Sequence, residues 1–290
     1  MFQPQASPSA QLTFRLETIE GTIPRASESA TVYFMPKMPA NLLAMTRTQE
    51  FASKLQLDPT PIQESKNIYR FDDPELPLRK LKYDIVSNHF ILRYGFEQDT
   101  GLFLDRILPG IDTVKEKAID LLKSDKLWTE DLMSGTQTVT FLKLVSDTLV
   151  TTTSLSAADC VRVDFFRRNI GGVMVLPPNP DEGSVVIMYS GSFHPNKKVI
   201  QYAYGLWPID ETTTGTYAIK PSSLAWQELQ SGGGYIARYP RAGNTAVIRT
   251  VTLGYYDSYD PQMYLQPIFV FEGDNGFLGY VPAVVQEWTE

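Results

Sequence analysis

The clearest alternation of apolar and polar positions runs from Ala246 to Val285. Val247, Arg249, Val251, Leu253 and Tyr255 interleave with Ile248, Thr250, Thr252 and Tyr256, the two-residue period of a strand. Pro267 to Phe271 is a short continuous apolar run, as expected of a strand buried on both faces. Glu272-Gly273-Asp274-Asn275-Gly276 then supplies turn chemistry, because Asn-Gly tolerates positive φ at little cost. Phe277 to Val284 returns as a third strand, with Pro282 placing its end at an edge. The chain is therefore expected to close in a three-stranded antiparallel meander, with a helix near 222–231 packed on one face.

Upstream, Leu12–Ile19 and Ala30–Met35 read as strands, and Thr46–Leu57 as a helix stopped by Asp58-Pro59-Thr60-Pro61. Ile68–Phe71 is a short strand, and residues 81–94 alternate out and back as a hairpin whose edges are open for pairing. Asp112 is the expected N-cap of a helix carrying Val114, Ala118, Leu121 and Leu122 on one stripe. Six further strands, at 138–145, 149–154, 159–167, 173–176, 185–189 and 199–207, are β-branched or aromatic runs between Gly-, Pro- and Asn-rich breaks. Ser222 is the expected cap of a short helix with Ala225, Trp226 and Leu229, which ends at Gly232-Gly233-Gly234 before a strand at 235–239.

Helix, short strand and hairpin follow one another at 46–94 and again at 222–285, a repetition of shape and not of residues. This order predicts an α+β fold of repeated helix-plus-antiparallel-sheet units closing in a meander. The boundaries are a flexible linker at 1–11, a unit at 12–110, a unit with an extended sheet at 111–210, and a unit with the C-terminal meander at 211–290.

Hydrophobic residues make up 43% and aromatic residues 12%, enough to build a core and to argue against global disorder. With 26 basic against 33 acidic residues the net charge is −7, and no basic run offers a phosphate-tracking surface, so nucleic acid is not an expected partner. The single Cys160 excludes an internal disulfide and fits the cytosol or a Cys-avoiding bacterial exterior. No apolar run reaches the ~18–20 residues of a membrane span. The opening MFQPQASPSA reads as a linker, either following an N-terminal membrane anchor or forming a natural flexible tail.

Few motifs carry chemistry. Ser231–Ala237 formally matches a dinucleotide-binding glycine pattern, but it follows a helix and precedes a strand, so it reads as a Gly-rich helix C-cap. His89 and His194 sit in turns without a second ligand at metal spacing, and Cys160 lies in an alternating apolar run. Ser190-Gly191-Ser192 lacks the first glycine of a nucleophile elbow. The acidic loops at 257–260 and 272–276 do not fit a calcium loop. No metal and no cofactor are expected. Tyr255, Tyr256, Tyr259 and Tyr264 crowd one break of the meander. Tyrosine joins a flat apolar body to a polar tip, so these four are the candidate binding residues.

The segments Leu253-Gly254-Tyr255-Tyr256, Tyr264–Gly273 and Tyr280-Val281-Pro282-Ala283 resemble the closing strands of the bacterial YycI/YycH group. That group comprises membrane-anchored extracytoplasmic regulators of a two-component histidine kinase. The same segments are similar to uncharacterised single-span surface proteins of candidate-phylum bacteria. The resemblance covers about the last fifth of the chain, with weaker agreement over 12–94. It implies a non-catalytic ectodomain, with no catalytic residues to carry over. The expected function is a non-enzymatic extracytoplasmic interaction or regulatory ectodomain of a membrane-anchored bacterial protein. Its partner would be a protein at the cell surface, a membrane sensor kinase being the one the resemblance implies. The alternatives are a surface protein binding glycan or peptide through the tyrosine loop, and a hydrolase with a dispersed acidic site.

Overall fold

The computed structural model describes residues 12–37, 41–99, 101–104 and 106–285. Residues 1–11, expected as a flexible linker, lie outside the described residues. In chain order the elements begin β1 (Thr13–Leu16), β2 (Ser29–Phe34), α1 (Ala44–Lys54), β3 (Ile62–Gln63), β4 (Ile68–Asp72), β5 (Arg79–Asp84) and β6 (Phe90–Tyr94). They continue with α2 (Ile111–Ser124), α3 (Glu130–Met133), β7 (Gln137–Val145), β8 (Thr148–Thr152), β9 (Cys160–Phe165), β10 (Met174–Leu176), β11 (Val185–Tyr189) and β12 (Val199–Tyr204). They close with β13 (Asp210–Ala218), α4 (Ser222–Gln230), β14 (Tyr235–Arg238), β15 (Thr245–Tyr256), β16 (Tyr264–Gly273) and β17 (Leu278–Pro282).

Seventeen strands against four α-helices among the described residues make this a mostly β protein, and the expected α+β class of repeated helix-plus-antiparallel-sheet units is corrected accordingly. The reason is long-range pairing. Strands remote in sequence join two common sheets, so no helix keeps a small sheet of its own. The chain forms two compact units, one within residues 1–36, 169–181 and 207–290, the other within 37–168 and 182–206.

The first unit holds an eight-stranded sheet with the path β1-β15-β16-β17-β14. The three closing strands pair antiparallel in sequence order, Val251 facing Phe271 and Phe269 facing Val281. The long β15 also takes β1 in parallel at one end and β10 in parallel at the other. β2 pairs with the start of β16 and with β13. From Pro267 to Phe271 every residue of β16 is buried. Phe269 and Phe271 enter one core with Ala225 and Leu229 of α4, while Ile268 and Val270 enter another with Tyr256 and Tyr280. The β16–β17 turn carries Asn275 at φ 55 and Gly276 at φ 76, the positive dihedrals that Asn and Gly accept most readily.

The second unit holds a nine-stranded antiparallel sheet in the order β3-β4-β5-β6-β12-β11-β9-β7-β8. The 81–94 hairpin lies inside this order, with β4 on one side and β12 on the other, so the open edges expected of it are absent. The stripe Val114, Ala118, Leu122 of α2 packs with Leu81, Phe90, Leu92, Val163 and Ile187. Arg79 Nη1 donates to the Leu55 carbonyl at 2.8 Å and to Asp73 Oδ2 at 3.0 Å, tying the end of α1 to the sheet through a buried ion pair.

Two expected caps are corrected. Helix α2 starts two residues earlier, with Gly110 at the N-cap, and Asp112 sits in the first turn where its charge favours the helix dipole. Ser222 is the first residue of α4, and its hydroxyl donates to the Pro24 carbonyl at 2.6 Å instead of capping.

Phe269 and Phe271 are 1% and 0% exposed. Replacing either by Ala removes a ring from a packed core, and each substitution is expected to lower the unfolding free energy by about 3–5 kcal/mol. Urea titration of the variants checks this, with an unchanged midpoint as the contrary result.

Candidate functional site

The tyrosines singled out in the sequence do not form one surface. Tyr255 and Tyr256 are consecutive in β15, so the two-residue period sends them to opposite faces. Tyr255 packs edge-on against Tyr33 at 5.5 Å and donates its hydroxyl to the Thr31 carbonyl at 2.8 Å. Tyr256 packs with Tyr235 and Tyr280. Both are buried.

Tyr259 and Tyr264 are different: they expose 50% and 43% of their surface, and Met263 between them exposes 51%. Residues 257–263 bridge β15 and β16. The bridge is pinned at both ends. Asp257 N donates to the Leu176 carbonyl at 2.9 Å, and the Met263 carbonyl accepts from Met35 N at 2.8 Å. Inside it, Ser258 Oγ accepts from Asp260 N at 3.0 Å, and Gln262 Nε2 donates to the Tyr256 carbonyl at 2.9 Å. The half-buried Trp207 donates its indole N–H to the Tyr259 carbonyl at 3.3 Å. Phe34, opposite Tyr264 in the β2–β16 ladder, meets that ring edge-on at 6.0 Å. Phe34, Trp207, Tyr259, Met263 and Tyr264 are thus brought together by the β2–β16 pairing and one ordered loop.

This arrangement has the chemistry of a contact surface. It offers aromatic and thioether groups on a backbone fixed by main-chain hydrogen bonds, so presenting them costs little conformational freedom. Phe34, Trp207 and Met263 were not legible as site residues, since only tertiary pairing gathers them. Their sequence signal is no more than that of aromatic or apolar residues beside a strand end.

The other candidates are placed as follows. Cys160 is buried in β9, and burial pushes its thiol up to about 12. His194 is exposed, its Nδ1 accepting from Asn196 N at 3.2 Å. His89 is half-buried in the β5–β6 turn. Ser190 is buried and donates to the Lys197 carbonyl at 2.5 Å. Gly232 and Gly233 close α4, donating to the Leu229 and Glu228 carbonyls. Asp274 is held below the usual carboxylate range by hydrogen bonding to Arg249. A tight titratable cluster is Tyr94–Asp99–Lys197. Asp99 Oδ2 accepts from the Tyr94 hydroxyl at 2.6 Å and from Lys197 Nζ at 2.7 Å. The Lys197 bond, then the Tyr94 bond, lower the Asp99 pKa. The three groups satisfy one another and join the end of β6 to the segment before β12. Among the described residues no group of three His, Cys, Asp or Glu is placed to hold a metal ion.

No protein-family model matches the chain. No curated protein matches it. A solved crystal structure of an uncharacterised protein from Eubacterium rectale ATCC 33656 is 15% identical, with a TM-score of 0.46 over 89% of this chain and 82% of that one. At that level the likeness carries nothing about chemistry here.

Burial raises the pKa of Tyr255 and Tyr256 above the ordinary phenol value of 10.0. Tyr202 and Tyr280 are raised by the same cause. In the unfolded chain these phenols ionise at the ordinary value while the folded protein keeps its protons. Their contribution to stability is therefore complete below pH of about 10 and is lost as pH rises toward the folded pKa. The melting temperature is expected to fall steeply above that pH. A Tyr255→Phe/Tyr256→Phe variant should start less stable, through the lost bond to Thr31, and fall less steeply. Parallel slopes would contradict this.

Proposed function

We propose that this protein is a binding module for another protein, displayed on the extracytoplasmic side of a bacterial membrane and performing no turnover chemistry of its own. The observation that supports this reading is the exposed group Tyr259, Met263 and Tyr264, seated beside Trp207 and Phe34. Tyr, Trp, Phe and Met are the residues enriched at protein interfaces, whose binding energy concentrates in a few large anchors. A loop pinned at both ends presents such anchors without the entropic cost of ordering them on binding. Trp207 acts beneath the group as support, through its bond to the Tyr259 carbonyl.

The test is capture from bacterial envelope extracts by wild type and by a Tyr259→Ala/Met263→Ala/Tyr264→Ala variant. A specific partner is expected to bind the variant at least about tenfold more weakly, the scale of losing one interface anchor. The exposed positions should leave stability within about 0.5 kcal/mol per site. Identical capture by both proteins removes the surface from the proposal. Display is checked separately by protease shaving of intact cells, where protection of the whole chain contradicts it. A robust turnover abolished by a single carboxylate or histidine substitution overturns the non-catalytic reading.

A further inference from the structure

Strand β8 is the terminal strand of the nine-stranded sheet, paired on one side with β7 only. Natural sheets blunt such edges with shortness, charge, proline or a bulge. The opposite edge, β3, has two residues. In the other sheet the edge strand β13 carries Asp210 and Glu211 and a register shift, and β14 carries Arg238 and a shift. β8 has none of these devices. It reads Thr148-Leu149-Val150-Thr151-Thr152, in unbroken register with β7, and Val150 is exposed.

The hydrogen-bonding parity of the open edge follows from β7. The Leu142 carbonyl accepts from Asp159 N, and Leu144 N donates to Asp159 Oδ2, so residues 142 and 144 direct their backbone away from β8. Val145, Lys143 and Phe141 therefore bond to their β8 partners Thr148, Val150 and Thr152. Leu149 and Thr151, lying between these, point their N–H and C=O groups outward.

We propose that β8 pairs antiparallel with β8 of a second copy of this chain, about a twofold axis at Val150, joining two nine-stranded sheets into one. Three features select a second copy as the occupant. In this register Leu149 faces Thr151 of the partner subunit and Thr151 faces Leu149 of the partner subunit, so the two outward-facing residues of each strand exchange both main-chain bonds. Val150 then meets its own copy at the non-hydrogen-bonded position, where side chains approach most closely, and its exposed surface is covered. Thr148 meets Thr152. Residues 148–158 hold no charge, and Asp147 falls opposite Thr153, so self-pairing brings no like charges face to face. The charged edge β13 lacks this property.

Sedimentation velocity on the whole chain across the micromolar range tests the proposal, with two variants. Thr151→Pro removes an outward N–H that the β7–β8 ladder does not use, so the fold retains its own hydrogen bonds. Val150→Lys sets two ammonium groups opposite each other. Wild type is expected to dimerise with rising concentration. Each variant should weaken the dimer at least about tenfold, the scale of a lost cross-strand pair plus charge opposition. Circular dichroism should stay as in wild type for both variants; the melting temperature should stay so for Thr151→Pro and fall slightly for Val150→Lys, whose ammonium also lies opposite Lys143 of β7. If Thr151→Pro does not fold, Val150→Lys decides alone, because its side chain projects from an exposed position. A wild type that stays monomeric, or a dimer that persists unchanged in folded Val150→Lys, overturns the pairing.

Discussion

Each sheet is organised by a strand that has no solvent on either face. In β16 the run Pro267–Phe271 is wholly buried, and in β11 so is every residue from Val185 to Tyr189. A strand in that position can satisfy its backbone only through both neighbouring strands, and its side chains need a packed layer above and below. This constraint explains the neighbours. β15 and β17 flank β16, while β9 and β12 flank β11. The covering layers follow: α4 with Phe277 on one face of β16, the Tyr256–Tyr280 group on the other, and α2 over β9 and β11.

Among the described residues, several charges enter the interior in pairs near the ends of elements. Arg79 meets Asp73 and the last carbonyl-bearing turn of α1. Asp125, just after α2, accepts from Lys54 Nζ at 2.6 Å and from the buried Tyr202 hydroxyl at 3.1 Å, linking α1, α2 and β12. Arg167 and Asp131 join α3 to the end of β9. Removing one partner of such a pair strands the other in a poor solvent, so these contacts specify which ends meet even where their net stabilisation is small.

What the sequence disclosed depends on whether the information is local. Alternation along Val247–Tyr255 marks β15, the apolar run marks β16, and Asp274-Asn275-Gly276 marks the β16–β17 turn, because each is written in consecutive residues. Partnership is not written that way. Nothing in TFRL or MVL states that both lie parallel to β15. β13 was invisible for a different reason: most of DETTTGTYA is exposed, so no apolar period is imprinted on it, and its threonines resemble a loop. The tyrosine cluster was half legible. Calling Tyr255 and Tyr256 members of a strand already requires opposite faces, whereas the exposure of Tyr259 and Tyr264 and their companions Phe34, Trp207 and Met263 depend on a long-range ladder. The fold class went astray on the same point, since counting helices beside strands says nothing about how many sheets those strands build.

The polypeptide passes between the two units four times, near residues 36, 168, 181 and 206. Neither unit is a contiguous stretch, so neither can be cut out by choosing two end points. Emerging from the ribosome, β1 and β2 precede their partners β13, β15 and β16 by most of the chain's length. The second unit's strands are all synthesised by Tyr204, while the first unit cannot close until β15 and β16 are made. Assembly is thus ordered in time by connectivity: the inserted unit is complete while the enclosing one is still two loose ends. A chain shortened before β15 and β16 leaves the first strands without the partners they were made to wait for.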